Sequence, residues 1–171
     1  MKNILIIALA FLFIVPAFGQ TKSINKFYNK YKHQENVTDV KVRGWLIKLA
    51  SSQVDDEQAE NILKKVSQLR VLVVDGFEGV KSNDYNKLIK DVEKDSFEEI
   101  LRIREGTDNI RAMVKSDGDK ISNVLLFVDG EDQFVMLSLE GNLNFSDLND
   151  LHFDVEGGDA FEKIPEEKPK A

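Results

Sequence analysis

FEEILRIREGTDNIRAMVKSDGDKISNVLLFVDGEDQFVMLSLE, residues 97–140, decides the fold. Four runs, Phe97–Arg104, Ile110–Lys115, Lys120–Val128 and Gln133–Glu140, carry the alternating or wholly apolar pattern of strands. Gly106-Thr107-Asp108, Asp117-Gly118 and Asp129-Gly130 separate them, and these residue types suit tight turns. Strands joined by such short connections pair antiparallel, so the segment predicts a four-strand meander. Its last two strands are apolar on both parities: Val124, Leu126 and Val128 against Leu125 and Phe127, then Val135, Leu137 and Leu139 against Phe134 and Met136. Both faces of the sheet therefore need cover. Leu125, Phe127, Phe134 and Met136 are expected either to lie under Phe27, Tyr28 and Tyr31 of a first helix or to form an interaction surface.

Upstream of the meander the pattern alternates between helix and strand. Ile24, Phe27, Tyr28 and Tyr31 recur at i, i+3, i+4 and i+7 and predict a helix over Ser23–His33, ended by Asn36. Thr38–Arg43 reads as a half-buried strand, Gly44 as a pivot, and Trp45-Leu46-Ile47 with Leu49 and Ala50 as a helix or helical turn. Asp55, with Gln58 reaching back, is the expected cap of a helix whose stripe is Ala59, Ile62, Leu63 and Val66. Leu69–Val74 is apolar at nearly every position and predicts a central strand covered on both faces. A helix over Asn83–Lys94 carries Tyr85, Leu88, Ile89 and Val92 on one side. Gly141-Asn142 is expected to stop the sheet, and Ser146 to cap a turn placing Leu148 and Leu151 against the core.

The fold expectation is α+β: three principal helices on a mostly antiparallel sheet of five or six strands, ending in the β-meander. Phe27, Val42, Leu63, Val73, Leu88, Leu126 and Leu137 are the expected core. Residues 20–151 make one domain and 152–171 an acidic tail expected to be disordered, with Phe161 and Ile164 available for local docking.

The first nineteen residues give an address. Lys2, an apolar run from Ile4 to Val15, Pro16 and then Ala17-Phe18-Gly19 have the order of a cleavable signal peptide. The apolar run is far shorter than the roughly 20 residues that span a bilayer as a helix. The expected mature protein begins near Gln20 and works outside the cytoplasm, periplasmic or secreted, with no transmembrane anchor. The chain has no cysteine, so a lipoprotein anchor, disulfides and thiolate chemistry are not expected. Its net charge is −7, and loss of Lys2 with the leader makes it more acidic. That balance is unfavourable for phosphate backbones and anionic membranes, and nucleic acid is not an expected partner.

An exported N-terminus, Phe27-Tyr28-Asn29-Lys30-Tyr31, Val37-Thr38-Asp39-Val40, the Leu69–Val74 strand, Phe97-Glu98-Glu99-Ile100-Leu101, and Leu137-Ser138-Leu139-Glu140-Gly141-Asn142-Leu143 with Asp147-Leu148 resemble domain of unknown function 4252. The resemblance covers roughly residues 24 to 151. It implies an exported protein of Gram-negative bacteria, an α+β fold and no established catalytic residue. Many members are lipoproteins, whereas this chain lacks the cysteine. Frequent proximity of family genes to extracytoplasmic-function sigma factors implies a link to envelope stress.

No residue pattern here specifies a catalytic, cofactor or metal site. His33 is expected to favour a helix C-terminus, and His152 lies in the tail. Asp55-Asp56-Glu57 reads as a helix cap; Asp117-Gly118-Asp119 and Asp129-Gly130-Glu131-Asp132 read as hairpin turns rather than calcium loops. Asp75-Gly76-Phe77-Glu78-Gly79 follows the most apolar strand, and Phe77 beside Glu78 is either a core plug or a partner contact. The expected function is a non-catalytic exported module that binds an envelope protein or small ligand. A hydrolase built on paired carboxylates is the alternative, because Asp and Glu are the abundant ionisable groups.

Overall fold

The computed structural model describes residues 22–53, 56–76 and 79–149. In chain order these form α1 (Lys22–Tyr31), β1 (Val37–Arg43), α2 (Gly44–Ser51), α3 (Glu57–Lys65), β2 (Val66–Asp75) and α4 (Ser82–Lys94). Then come β3 (Glu98–Glu105), β4 (Asp108–Asp117), β5 (Lys120–Asp129), β6 (Gln133–Asn144) and α5 (Phe145–Asn149). The strands make one six-stranded sheet ordered β1-β2-β6-β5-β4-β3, and every neighbouring pair is antiparallel. The α+β fold and the C-terminal meander are those expected from the sequence. Gly106 and Gly118 supply the positive φ of +58° at two of the hairpin turns, a backbone state that glycine adopts without Cβ strain.

Cross-strand register sorts the sheet into two faces. One row runs Asp39, Leu72, Met136, Phe127, Arg111 and Arg102; the next runs Lys41, Arg70, Ser138, Leu125, Met113 and Glu99. The apolar middle of these rows lies beneath α1 and α4, whose stripes Ile24/Phe27/Tyr28/Tyr31 and Tyr85/Leu88/Ile89/Val92 are all buried. Side chains with i, i+3, i+4 and i+7 spacing share one helix face, so each helix covers the sheet with a single stripe. Rings mesh across the layer: Phe27 with Phe134 at 5.8 Å, and Tyr85 with Phe127 at 5.6 Å between centroids. The two helices are tied to each other by Ser23 Oγ donating to Asp95 at 3.0 Å and Tyr31 Oη donating to Asp84 at 2.6 Å.

The opposite face carries Ala112, Val114, Val124, Leu126, Leu137 and Leu139, joined by Ile47 from α2, Ile62 from α3, and Phe145 and Leu148 from α5. Thus α2, α3 and α5 occupy the second face, and the sheet is the middle layer of three.

Several local expectations change. Asp56, not Asp55, caps α3, accepting from the backbone N–H of Gln58 at 2.8 Å and of Ala59 at 3.3 Å. The strand around Leu69–Val74 lies one place in from the β1 edge rather than at the centre; Leu72 and Val74 are buried, while Leu69, Val71 and Val73 are half-buried. Of the expected core, Phe27, Leu88, Leu126 and Leu137 are buried, and Val42, Leu63 and Val73 are only half-buried, because the second face is thinly covered near the β1 edge. Gly141-Asn142 does not end the sheet: β6 continues to Asn144. Gly141 passes so close to α3 that a Cβ would stand 2.6 Å from the Lys65 carbonyl oxygen. Ser146 lies within α5 rather than capping it, and Asp147 in the first turn reaches back to accept from the Asn144 N–H at 2.8 Å. The signal segment, the tail with His152, Phe161 and Ile164, and Leu151 lie outside the described residues.

Candidate functional site

Leu125, Phe127, Phe134 and Met136 are buried, with 0–2 % of their surface exposed, beneath α1 and α4. They form core rather than an interaction surface, and Phe27, Tyr28 and Tyr31 cover them as the first of the two expected outcomes required. Phe77 and Glu78, the other candidates, lie outside the described residues.

The apolar surface that remains open is elsewhere, on α2 and the β1 edge. Trp45 is 68 % exposed, Leu49 63 %, Val40 47 % and Leu46 43 %. Trp45 and Leu49 are one helical turn apart and Leu46 is beside them, so the three share an outward arc of α2. Ile47 and Ser51 occupy the inward arc and are buried. Gly44 sets this helix against the sheet: a Cβ there would lie 2.7 Å from the Ser67 carbonyl oxygen. This helix is apolar at Trp45, Leu46, Ile47, Leu49 and Ala50, more than one buried side can use. That excess was the available sequence signal for an exposed patch.

A cavity of about 350 Å³ opens beside the arc, between Leu46, Ile47 and Ala50 of α2, Leu63 of α3, and Val42, Val66, Leu69 and Leu139 of the sheet. Its size falls within the roughly 300–1,000 Å³ range of small-ligand pockets, although its lining supplies no polar side chain to orient one. Lys48 is exposed on α2 beside Trp45, whereas Lys41 and Arg43, also exposed, fall on the register side of Asp39, away from Val40 and Val42. Among the described residues none of the three forms an ion pair.

Several ionisable groups elsewhere are tied into structural contacts. Arg70 is buried and bidentate to Asp39, at 3.0 and 2.9 Å. Its guanidinium carbon lies 3.6 Å from the centre of the Tyr28 ring. Burial pushes the Tyr28 hydroxyl well above the ordinary tyrosine range, against the opposing influence of the Arg70 charge. Asp147 accepts from Lys65 at 2.7 and 2.9 Å, closing α5 onto α3. Hydrogen bonds from Lys30 and Tyr31 hold the Asp84 carboxyl below the usual carboxylate range. Burial raises Asp129. Tyr85 Oη, Asn109 Oδ1 and Arg111 Nε are buried without a hydrogen-bond partner among the described residues, although Arg111 Nε is ion-paired with Glu99 at 3.1 Å.

Residues 31–151 match the family model described as Domain of unknown function (DUF4252). No curated protein and no solved structure is significantly similar to the chain.

Proposed function

This chain belongs to the DUF4252 family, and we propose that it acts outside the cytoplasm, periplasmic or secreted, as a non-catalytic interaction module. The observation that carries the binding role is the open apolar arc of α2, with Trp45 at 68 % and Leu49 at 63 % exposure beside an apolar cavity. Contiguous apolar surface of this kind costs solubility unless a partner uses it, and such patches commonly mark association sites. Export is supported by the Lys2, Ile4–Val15 and Ala17-Phe18-Gly19 pattern. A non-catalytic role is supported by the carboxylates: Asp39, Asp84 and Asp147 each serve an ion pair, and Asp56 serves a helix cap. The compartment fits the envelope-stress link that the family resemblance implies.

Two measurements test this reading. A reporter active only after export, fused behind residues 1–19, should be active; recovery of the native chain only from cytosol would remove the compartment from the proposal. A photo-crosslinking residue at position 45 or 49 should trap a reproducible envelope component in cells, whereas one at exposed Lys90 on α4 should not. Equal yields from all three positions would defeat the assignment of the site.

A further inference from the structure

Independently of the α2 patch, we propose that the open edge of β1 pairs antiparallel with β1 of a second copy, joining two sheets into one across a two-fold axis at Val40. β1 ends the sheet on one side, and among the described residues no strand pairs with its outer edge. Thr38, Asp39, Val40 and Lys41 are exposed along it. The backbone shows which groups are open. The Asp75 N–H donates to the Asn36 carbonyl oxygen at 2.9 Å, and the register Val37↔Val74, continued by one residue, sets Asn36 directly opposite Asp75. Opposed residues in an antiparallel ladder alternate between hydrogen-bonded and non-hydrogen-bonded pairs. Thr38, Val40 and Val42 therefore direct their backbone groups to β2, and Val37, Asp39 and Lys41 turn theirs outward. Such a row is a template for another strand.

Side-chain charge selects the second copy and the register. Only outward residues can bond across a new seam, so an odd-numbered residue of β1 must face an odd-numbered one. A seam centred on Asp39 or on Lys41 sets that residue against its own copy, and like charges directly opposite are destabilising. A seam centred on Val40 sets Asp39 opposite Lys41 of the second copy, and by symmetry Lys41 opposite Asp39. Asp39 can take this ammonium, because its side chain is 21 % exposed and a carboxylate has more acceptor sites than Arg70 fills. Lys41 is exposed and forms no ion pair among the described residues. On the other face Val40, 47 % exposed, meets its own copy in the closer, non-hydrogen-bonded class of pair. The opposite edge of the sheet is less suited: β3 is interrupted by a bulge between Glu99 and Leu101, whereas the β1–β2 register runs unbroken from Val37 to Arg43.

Sedimentation equilibrium of the exported protein at about 0.1 mM, a concentration suited to an interface at the small end of the size range, should show a dimer. Lys41→Asp sets carboxylates opposite each other at both symmetric positions and should weaken it at least about tenfold. Lys90→Asp, the same change of net charge at an exposed position of α4, should leave it unchanged. The chain has no cysteine, so single introduced cysteines report the register. With a mild oxidant, Val40→Cys should form a covalent dimer, because opposed residues of the closer class stand about 4.5 Å apart at Cα, within reach of a disulfide. Thr38→Cys alone should not, since Thr38 faces Val42 of the second copy, whereas a mixture of Thr38→Cys and Val42→Cys chains should. Circular dichroism verifies that the variants remain folded. A monomer throughout would overturn the proposal. So would equal oxidation of Val40→Cys and Thr38→Cys, the mark of random collision. A dimer that survives Lys41→Asp and fails to oxidise through Val40→Cys would overturn it as well, assigning the contact to another surface. Crosslinking of an envelope component from position 45 tests the α2 reading separately.

Discussion

Tyr28 and Arg70 are locked together twice: the guanidinium lies over the ring at 3.6 Å, and Tyr28 Oη donates to the Arg70 carbonyl oxygen at 3.1 Å. Asp39 on the edge strand completes the group by accepting both forks of Arg70. A buried guanidinium that loses its carboxylate keeps its desolvation penalty without its main compensation. Asp39→Ala should therefore cost about 3 kcal/mol in urea unfolding, the lower end of the range for breaking a buried pair, because Asp39 is itself partly exposed. Replacing both partners, Asp39→Val with Arg70→Met, should recover most of that loss. A double variant no more stable than Asp39→Ala would contradict this account.

The α1–α4 seam makes stability depend on pH through Asp84. Its folded carboxyl is held below its ordinary value of 3.8 by Lys30 and Tyr31. The native state then binds fewer protons than the unfolded state, so the contribution is present above about pH 4 and disappears as pH falls through the lower folded value. The stability gap between wild type and Asp84→Asn should be constant near neutrality and close in acid. Tyr31, pushed up to about 12 by burial and then by its bond to Asp84, should add a loss between its ordinary value of 10 and about 12. Urea midpoints across pH measure both ends.

Asp129 has the opposite sign. Burial raises its folded carboxyl, so the unfolded state ionises first and the ionised native state is disfavoured at neutral pH. Asp129→Asn should raise the unfolding midpoint at pH 7, with the gain shrinking in acid where wild-type Asp129 is protonated in both states. A destabilised variant at pH 7 would indicate that the carboxylate is compensated.

Tyr85 packs its ring against Phe127 and Phe134 while its buried hydroxyl lacks a hydrogen-bond partner among the described residues. An unsatisfied buried hydroxyl carries a desolvation cost that phenylalanine does not. Tyr85→Phe should thus change stability by less than about 0.5 kcal/mol or increase it, whereas Tyr28→Phe, which removes a made bond, should cost about 1 kcal/mol. Parallel thermal melts separate the two tyrosines.

Gly44 and Gly141 are required by close approach. A Cβ on either would meet backbone of the Lys65–Ser67 segment, at 2.7 Å and 2.6 Å respectively. Backbone cannot step aside as a flexible side chain would, so Gly44→Ala and Gly141→Ala should each cost about 1–3 kcal/mol or more. Denaturant unfolding checks them against Gly106→Ala, where strain arises from φ +58° and nothing stands in the way.

The periodicities of α1, α4 and the meander survive in the structure because each encodes a burial pattern within a few residues: Phe27 and Tyr31, Leu88 and Val92, Val124 and Leu126. The cap of α3 differs by one residue because Asp55 and Asp56 offer the same oxygen and only backbone geometry selects between them. Gly141-Asn142 reads locally as a break. Its role as a continuous strand passing under Lys65 depends on a contact far away along the chain.

What the sequence by itself determined is the order of elements, the antiparallel meander and the need to cover two apolar faces, since hydrophobic period and turn chemistry act over short range. Which faces were covered was decided only by tertiary structure. Leu125, Phe127, Phe134 and Met136 became core because β6 docked beside β2 and brought them under α1 and α4. Trp45 and Leu49, no less apolar, stayed in solvent because α2 had one side to turn toward the sheet and no described element packs over the other. Burial is a property of packed layers, and a local pattern states the demand for cover without saying which layer meets it.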